Sequence, residues 1–232
     1  MPLLVTAATG PELAAALPPL RGRPLPEQQT LALTWRGRPL LACVTGVGPV
    51  NAALALGLTL GGHADIDGVL NVGLAGAFAL SALPLGTLVL VTEEIFPEYG
   101  LCGADGLSNG PALGFPQWAP AGQAPVFTRL PLPDCAGQLR LCLPAALPRA
   151  ASLTVAGVSA APERAAALCA AHRAALENME GFAVALACAR HALPCAEVRC
   201  VSNLVGPRTA GSHDFPGALR AMEAAIPEMF NV

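Results

Sequence analysis

Two segments place carboxylates where an apolar helix is predicted to begin. Glu12 lies in the opening turn of a helix predicted over residues 11–17, where Pro11 suits the first turn. Glu177 and Glu180 precede an alanine-rich helix predicted over 181–191. Such a carboxylate acts on a ligand as a general base or hydrogen-bond acceptor, or it only stabilises the helix N-terminus. These residues by themselves leave both interpretations open.

A third polar segment, the pair Ser202-Asn203, lies at the end of a strand predicted over residues 195–202. Ligands of α/β folds bind at the carboxyl ends of buried strands, so Asn203 is a candidate ligand contact. The alternative is an ordinary turn asparagine.

Two glycine-rich segments, 45–49 and 71–76, are predicted to be turns that let backbone amides approach a ligand. Neither has the Gly-x-Gly-x-x-Gly spacing with an acidic residue about twenty positions later, so neither predicts a dinucleotide site.

The elements that must position these residues alternate along the chain. Strands are predicted at 3–8, 30–35, 39–45, 68–71, 87–92, 152–156 and 195–202. Helices are predicted at 11–17, 50–60, 134–141, 162–172, 181–191 and from Phe215 onward, with a long loop over 96–125. This alternation predicts an α/β fold: one domain over residues 1–232, with a mixed central sheet flanked by helices on both faces.

Composition excludes several classes of protein. Hydrophobic residues make up 53% of the 232 residues and charged residues 12%, which excludes a disordered chain. A net charge of −3 argues against nucleic acid as a partner. All 13 basic residues are arginine, and without lysine neither Schiff-base chemistry nor a Walker A loop is possible.

The sequence lacks the patterns of a signal peptide, a membrane span and a cysteine-rich metal site, and these absences lead to predictions of location and cofactors. The start of the chain lacks the basic residues of a signal peptide, which predicts a cytoplasmic protein. The apolar stretch 69–91 is broken by Asn71, glycines and Pro84, so two buried strands are expected there and no membrane span. The eight cysteines include no Cys-x-x-Cys pair, and neither a metal nor an organic cofactor is expected.

Taken in order, the motifs resemble those of a known superfamily. They are Ala-x-x-x-Glu ending at Glu12, Thr-Gly-Val-Gly at 45–48, Asn-x-Gly-x-Ala-Gly at 71–76, Asn-Met-Glu-Gly at 178–181 and Val-Arg-x-Val-Ser-Asn at 198–203. The chain resembles the nucleoside phosphorylase superfamily, within it the methylthioadenosine/S-adenosylhomocysteine nucleosidases, and most closely the futalosine hydrolases of menaquinone biosynthesis. The resemblance spans nearly the whole chain.

The resemblance implies cleavage of the bond between a ribose C1′ and a purine N9. Glu12 matches the carboxylate that activates the attacking water, and Glu180 the one that accepts hydrogen bonds from ribose hydroxyls. Met179 would pack against the sugar, with a core methionine as the alternative, Gly76 and Val158 would contact the substrate, and no cofactor is implied.

Asn203 matches the residue that contacts the base. Adenine-cleaving relatives carry aspartate at this position and protonate N7 with it, which an amide cannot do. An asparagine offers two N–H donors, suited to the N7 and O6 acceptors of hypoxanthine, although it can also pair with adenine. Ser202 is expected to steady the Asn203 amide.

Further expectations concern the rest of the substrate. Leu74 replaces the serine or threonine hydroxyl of many relatives, which argues against phosphate as the nucleophile. Arg208 is expected to bind the benzoate tail of futalosine, and Phe182 either stacks near the base or belongs to the core. The loop 96–118 is expected to cover the tail, and the resemblance implies a homodimer or larger homo-oligomer.

Four functions therefore remain open. The first is hydrolysis of futalosine to hypoxanthine. The alternatives are an adenine nucleosidase, against which Asn203 argues, a phosphorylase for 6-oxopurine nucleosides, against which Leu74 argues, and a purine-nucleoside binding protein without turnover. A binding protein needs no water-activating base, so Glu12 favours an enzyme.

Overall fold

The computed structural model describes residues 1–104 and 106–231 of the chain. Its strands are β1 (Leu3–Ala7), β2 (Thr30–Trp35), β3 (Arg38–Val44), β4 (Gly68–Ala77), β5 (Leu88–Ile95), β6 (Leu101–Cys102), β7 (Ser108–Asn109), β8 (Arg129–Pro131), β9 (Arg149–Thr154), β10 (Leu176–Asn178) and β11 (Cys195–Leu204). Its α-helices are α1 (Gly10–Ala16), α2 (Pro49–Gly62), α3 (Gly110–Leu113), α4 (Pro162–His172), α5 (Gly181–Arg190) and α6 (Phe215–Ala225), with short 3₁₀ helices at Pro18–Leu20 and Ile226–Phe230.

The central sheet is mixed and partly closed on itself. Its strand order is β10-β9-β5-β11-β4-β1-β3-β2, and β8 pairs with β5. Strand β10 also pairs with β4, so that β4, β11, β5, β9 and β10 form a ring. β1 pairs in parallel with β3 and β4, and β4 pairs in parallel with β11, which brings the carboxyl ends of these strands to one edge.

Helices cover both faces of this sheet. On one face, Leu13 of α1 and Met222 of α6 belong to the same buried apolar cluster as Val5 of β1. On the other face, Leu56 of α2 and Val184 of α5 pack with a second cluster. The predicted α/β fold class, with helices on both sides of a mixed sheet, is confirmed.

Most predicted elements are present, but two predictions are wrong. Residues 136–140 form a turn, and the predicted helix over 134–141 does not form. Pro133 before it and Gly137 within it disfavour a regular helix. The glycine-rich segment 71–76 is also no turn, because it lies inside β4.

The long loop 96–125 contains two short strands, β6 and β7, and the one-turn helix α3. These elements, and the three-residue strands β8 and β10, are too short to be recognised from a periodic sequence pattern. The hairpin between β2 and β3 was predicted correctly, and Arg36 and Gly37 supply the two positive φ angles that its tight turn requires.

Candidate active site

A cleft of about 740 Å³ opens at the carboxyl edge of the central sheet. Its lining comes from segments that follow β1, β3, β9 and β10 and from the ends of β4 and β11. This is the edge where α/β folds bind their ligands. Of the residues predicted from sequence to form a site, the cleft brings together Glu12, Gly76, Val158, Met179, Glu180, Ser202, Asn203 and Arg208.

Glu12 is held at the start of α1 by a capping box. Its Oε2 accepts hydrogen bonds from the backbone nitrogen of Thr9 at 2.9 Å and from the Thr9 hydroxyl at 2.6 Å. Its Oε1 accepts from the backbone nitrogen of Leu74 at 2.8 Å. Only 5% of Glu12 is exposed, and this burial raises the pKa of its carboxyl above the ordinary 4.5, although the hydrogen bonds from Thr9 and Leu74 oppose the shift. A raised pKa makes the carboxylate a better proton acceptor than an exposed glutamate.

Glu180 occupies the N-cap of α5 and lines the same cleft as Glu12. Its Oε1 accepts from the backbone nitrogen of Gly48 at 3.0 Å, and its Oε2 lies 3.2 Å from Nη1 of Arg199. Gly48 has a φ of +97°, which glycine adopts without strain. The glycine turn before α2 thus positions a carboxylate.

Arg199 is a site residue that the sequence analysis missed. Its side chain is 1% exposed, yet it projects from the middle of β11. Besides Glu180, it binds Glu197 through Nε at 2.7 Å and the backbone oxygen of Leu74 through Nη1 at 3.3 Å. Burial opposes its charge, but Glu197 and Glu180 outweigh that effect and leave the pKa of Arg199 above its ordinary value. The signal for it was present, because an arginine inside an otherwise apolar strand needs buried partners.

The glycines of β4 serve close packing and not a turn. A Cβ on Gly73 would lie 2.7 Å from Nη1 of Arg199 and 3.0 Å from Oε1 of Glu12. A Cβ on Gly76 would lie 2.8 Å from Nδ2 of Asn203. Both glycines therefore make room for polar side chains of the cleft.

Asn203 lies at a β-bulge near the end of β11. The strand pairs Val201 with Ala75 and Asn203 with Gly76, which leaves Ser202 as the extra residue. The Ser202 hydroxyl donates to Oδ1 of Asn203 at 2.9 Å, and Nδ2 of Asn203 donates to the backbone oxygen of Leu204 at 2.9 Å. One amide hydrogen remains for a ligand, where the sequence analysis expected two.

The loop after β9 also lines the cleft. Val158 on this loop is 49% exposed, and its neighbour Ser159 is anchored to Glu177. The Ser159 hydroxyl donates to Oε2 of Glu177 at 2.6 Å, and the Ser159 backbone nitrogen donates to Oε1 at 2.9 Å. Glu177 therefore holds the Val158 loop against the cleft. Met179, half-buried, packs against the apolar cluster of β9 and also lines the cleft.

Arg208 is exposed at the rim of the cleft, on the loop between β11 and α6. Its guanidinium carbon lies 5.5 Å from the ring centroid of Phe215, which also lines the cleft. This cation–π contact holds the charge at the rim and leaves its hydrogen-bond donors for a ligand.

Phe182 does not belong to this cleft. It is 2% exposed, and its ring packs 5.7 Å from that of Phe96 in the core, so its prediction as a substrate contact is wrong. The N-terminus of α5 turns Phe182 under the helix toward the apolar cluster between α2 and α5. The core alternative weighed in the sequence analysis is the correct one.

Within residues 1–104 and 106–231, no group of three or more His, Cys, Asp or Glu side chains could hold a metal ion. Nor is any helix in this part of the chain long and apolar enough to cross a membrane. All eight cysteines are free thiols, and five of them are buried.

Known proteins resemble the chain in sequence and in fold. The chain is 39% identical over 198 residues to a futalosine hydrolase of Thermus thermophilus, covering 84% of each protein. It is 34% identical over 190 residues to a futalosine hydrolase of Streptomyces coelicolor, covering 79% of this chain and 75% of that protein. The fold is similar to that of a futalosine hydrolase mutant of Helicobacter pylori, with a TM-score of 0.72 at 16% identity over 97% of this chain and 95% of that one. The sequence model of the phosphorylase superfamily matches residues 2–232. With its paired carboxylates and strand-end amide on a partly closed mixed sheet, the chain belongs to the phosphorylase superfamily.

Proposed function

We propose that this protein, as one domain over residues 1–232, hydrolyses futalosine to hypoxanthine and dehypoxanthine futalosine, a step of menaquinone biosynthesis. The relatives from Thermus and Streptomyces bear the name of this activity. One observation carries the proposal: a buried carboxylate, Glu12, and a fixed amide donor, Asn203, line the same cleft.

The chemistry follows from the charges that develop as the glycosidic bond breaks. The ribose becomes cationic and the leaving purine anionic. Glu12 takes a proton from a water molecule while the oxygen of that water bonds to C1′. The bond from C1′ to N9 breaks, and the released base takes up a proton from solvent. Glu180 accepts hydrogen bonds from ribose hydroxyls and stabilises the positive charge on the sugar. Met179 lies beside Glu180 in the cleft, where it would pack against the ribose.

The remaining N–H of Asn203 suits a 6-oxopurine. The Oδ1 of this amide accepts from Ser202, and the free N–H of Nδ2 can donate to a ligand. Hypoxanthine offers acceptors at both N7 and O6 for this donor, whereas adenine offers an acceptor only at N7. Gly76 and Val158 would contact the base through backbone and apolar surface.

Water is favoured over phosphate as the nucleophile. A phosphate in this cleft would face the carboxylates of Glu12 and Glu180, and the guanidinium of Arg199 is already bound by Glu180 and Glu197. The side chain of Leu74 is apolar, and only the backbone nitrogen of this residue is directed at Glu12. Among the described residues, the uncommitted cation of the cleft is therefore Arg208 at its rim, which we assign to the tail of the substrate, and no free cation accompanies Glu12 and Glu180.

The tail of futalosine carries a carboxylate, which Arg208 at the rim would bind with two parallel hydrogen bonds. The Phe215 ring beneath the guanidinium would pack against the apolar part of the tail. We place both residues at the end of the cleft that receives the tail.

We further propose a cytoplasmic homo-oligomer, a dimer or larger. Val50, Leu54 and Leu58 on α2 are exposed, between 49% and 80%, beside an apolar groove of about 750 Å³ between α2 and α5. Val47, also exposed, joins this surface to the cleft, so a second copy would cover the groove and bring its loop 96–118 toward the tail. Eight free thiols suit a reducing compartment.

The deciding experiment incubates the protein with futalosine, inosine and 5′-methylthioadenosine, with and without phosphate, and measures the free base. Hypoxanthine from futalosine in phosphate-free buffer is the expected result. Adenine release would show an adenine nucleosidase, phosphate-dependent release of hypoxanthine a phosphorylase, and tight binding without release a binding protein. Each of these three results rejects the proposal.

A further inference from the structure

The Val158 loop, residues 156–159, is fixed by side chains from outside the loop. The backbone nitrogen of Ala156 donates to Oε2 of Glu98, on the segment after β5, at 2.6 Å. Within residues 1–104 and 106–231, no hydrogen bond reaches the backbone of Val158 itself. The loop is therefore held beside the residue that faces the cleft, and the N–H and C=O of that residue stay available to a ligand.

Arg164 connects Glu98 to both ends of this loop. Its Nη2 donates to Oε1 of Glu98 at 2.6 Å and to the backbone oxygen of Gly157 at 3.2 Å. Its Nε donates to the Ser159 hydroxyl at 3.2 Å. That hydroxyl has a single hydrogen, which it donates to Oε2 of Glu177 at 2.6 Å, so its lone pairs are free to accept from the arginine. One guanidinium thus joins the start, the middle and the end of the Val158 loop.

The position of Arg164 is unfavourable for its own helix. It lies in the first turn of α4, two residues after Pro162, where the positive end of the helix dipole disfavours a cation. The N-cap of α4 is Ala161, whose side chain makes no capping hydrogen bond. The stability of α4 therefore does not account for an arginine at this place, whereas its contacts to Glu98 and the Val158 loop do.

The pair of Arg164 and Glu98 is only partly buried, with side chains that are 37% and 28% exposed. An isolated ion pair at such a place contributes little to the stability of a protein. This pair also bonds two backbone groups of the Val158 loop and one side chain of it. Its main effect is therefore on the shape of the loop and not on the stability of the whole fold.

We propose that Glu98 and Arg164 are positioning residues for the purine base, because they hold the Val158 loop in the shape that presents the Val158 backbone to it. The inference rests on the proposed function, in which Val158 contacts the base. Neither side chain lines the cleft, so both act through the loop. This ion pair outside the cleft thus contributes to the recognition of the base inside it.

Steady-state kinetics test the proposal through the separation of KM from kcat. A hydrogen bond contributes about three- to tenfold to an equilibrium, so Arg164→Met and Glu98→Gln should each raise the KM for futalosine by about that factor, with little change in kcat. The KM for inosine should rise by the same factor, because inosine carries the same base. The double variant should be no worse than the stronger single one, since each change breaks the same network. Arg173→Met, at the exposed C-cap of α4, is the matched control and should leave both KM values unchanged.

Two measurements need no turnover. Hydrogen exchange followed by mass spectrometry should show faster exchange in the Val158 loop of Arg164→Met than in the unmodified protein, and unchanged exchange in β11. Calorimetric titration with hypoxanthine alone should show weaker binding by the factor seen in KM.

Several results would overturn the proposal. These are a fall in kcat at unchanged KM, a rise in KM for futalosine but not for inosine, additive losses in the double variant, equal effects in Arg173→Met, or unchanged exchange in the Val158 loop. If Arg164→Met does not fold, Glu98→Gln decides by the same measurements. Lack of futalosine turnover by the unmodified protein would reject the proposed function, and hydrogen exchange and hypoxanthine binding would then decide the role of the pair.

Discussion

The Ser202 hydroxyl lies 2.9 Å from Oδ1 of Asn203, although consecutive residues of a regular strand point to opposite faces. The β-bulge between Val201 and Asn203 makes this contact possible, because the extra residue rotates the end of β11. As a result the Asn203 amide is fixed, with its oxygen bonded to Ser202 and one N–H left for a ligand. Under the proposed function, the contact to the purine base would therefore depend on one local irregularity of the sheet.

Replacing Asn203 should remove a donor that acts on the leaving base. Removal of one such donor costs about 10²–10³ in kcat, and Asn203→Ala should lose that much with futalosine. Asn203→Asp should lower turnover of futalosine and raise the relative turnover of 5′-methylthioadenosine, because a carboxyl in this position can donate its proton to N7. Steady-state assays with both substrates check this, with Ser202→Ala as a milder control. Unchanged turnover in Asn203→Ala would rule out the assigned role.

Replacing Glu12 should remove the general base. Glu12→Gln keeps the size of the side chain and should lower kcat by about 10²–10⁴. Because burial raises the pKa of Glu12, the rate of the unmodified enzyme should rise with pH through a pKa above 4.5, and this limb should be absent in Glu12→Gln. Full activity in the variant would exclude this mechanism.

The raised pKa of Glu12 also makes the stability of the folded protein depend on pH. A carboxyl whose pKa is raised in the folded state binds protons more tightly there than in the unfolded chain. Its contribution to stability is therefore present at low pH and is lost as the pH rises from the ordinary value through the raised one. Glu12→Gln removes the titrating group, so its melting temperature should rise relative to that of the unmodified protein as the pH increases, and thermal melts in buffers between pH 4 and pH 8 check this. A difference in melting temperature that does not change with pH would contradict this account.

Replacing Arg208 should affect only substrates with an anionic tail. Hydrogen bonds to charged groups contribute about 1.5–3 kcal/mol, so Arg208→Met should raise the KM for futalosine by at least about tenfold. Inosine lacks the tail, and its KM should not change. Arg220→Met is a matched control, since Arg220 is exposed on α6 and does not line the cleft. Equal effects on futalosine and inosine would show that Arg208 does not bind the tail.

A single methyl group on Gly73 should disable the site. In Gly73→Ala the new Cβ would lie 2.7 Å from Nη1 of Arg199 and 3.0 Å from Oε1 of Glu12, so both groups must move. Overpacking of this kind costs about 1–3 kcal/mol of stability, and a displaced base should lower kcat by about 100-fold. Gly61→Ala on α2 is the control, because its Cβ would meet no atom within 4 Å. Normal turnover in Gly73→Ala would show that catalysis does not need the space that Gly73 leaves for Arg199 and Glu12.

The order of strands and helices could be predicted from the sequence because apolar runs, and the glycines and prolines that separate them, determine local secondary structure. The same local rules failed at 134–141, where Pro133 and Gly137 prevent a helix that the composition favours. They also failed at Gly73 and Gly76, because a glycine that makes room for a distant side chain cannot be told from one that makes a turn. Arg199 was missed although one of its partners, Glu197, is two residues before it; two others, Glu180 and Leu74, are 19 and 125 residues away along the chain.

By itself, the sequence determined which side chains are available: the carboxylates of Glu12 and Glu180, the amide of Asn203 and the cation at Arg208, in an order typical of one superfamily. The tertiary structure decided how each of them is used. Burial raises the pKa of Glu12, a bulge leaves Asn203 a single donor, and Arg199 is shared between Glu180 and Glu197. Side-chain chemistry belongs to single residues, whereas a pKa or a hydrogen-bond direction belongs to neighbours that meet only when the sheet forms.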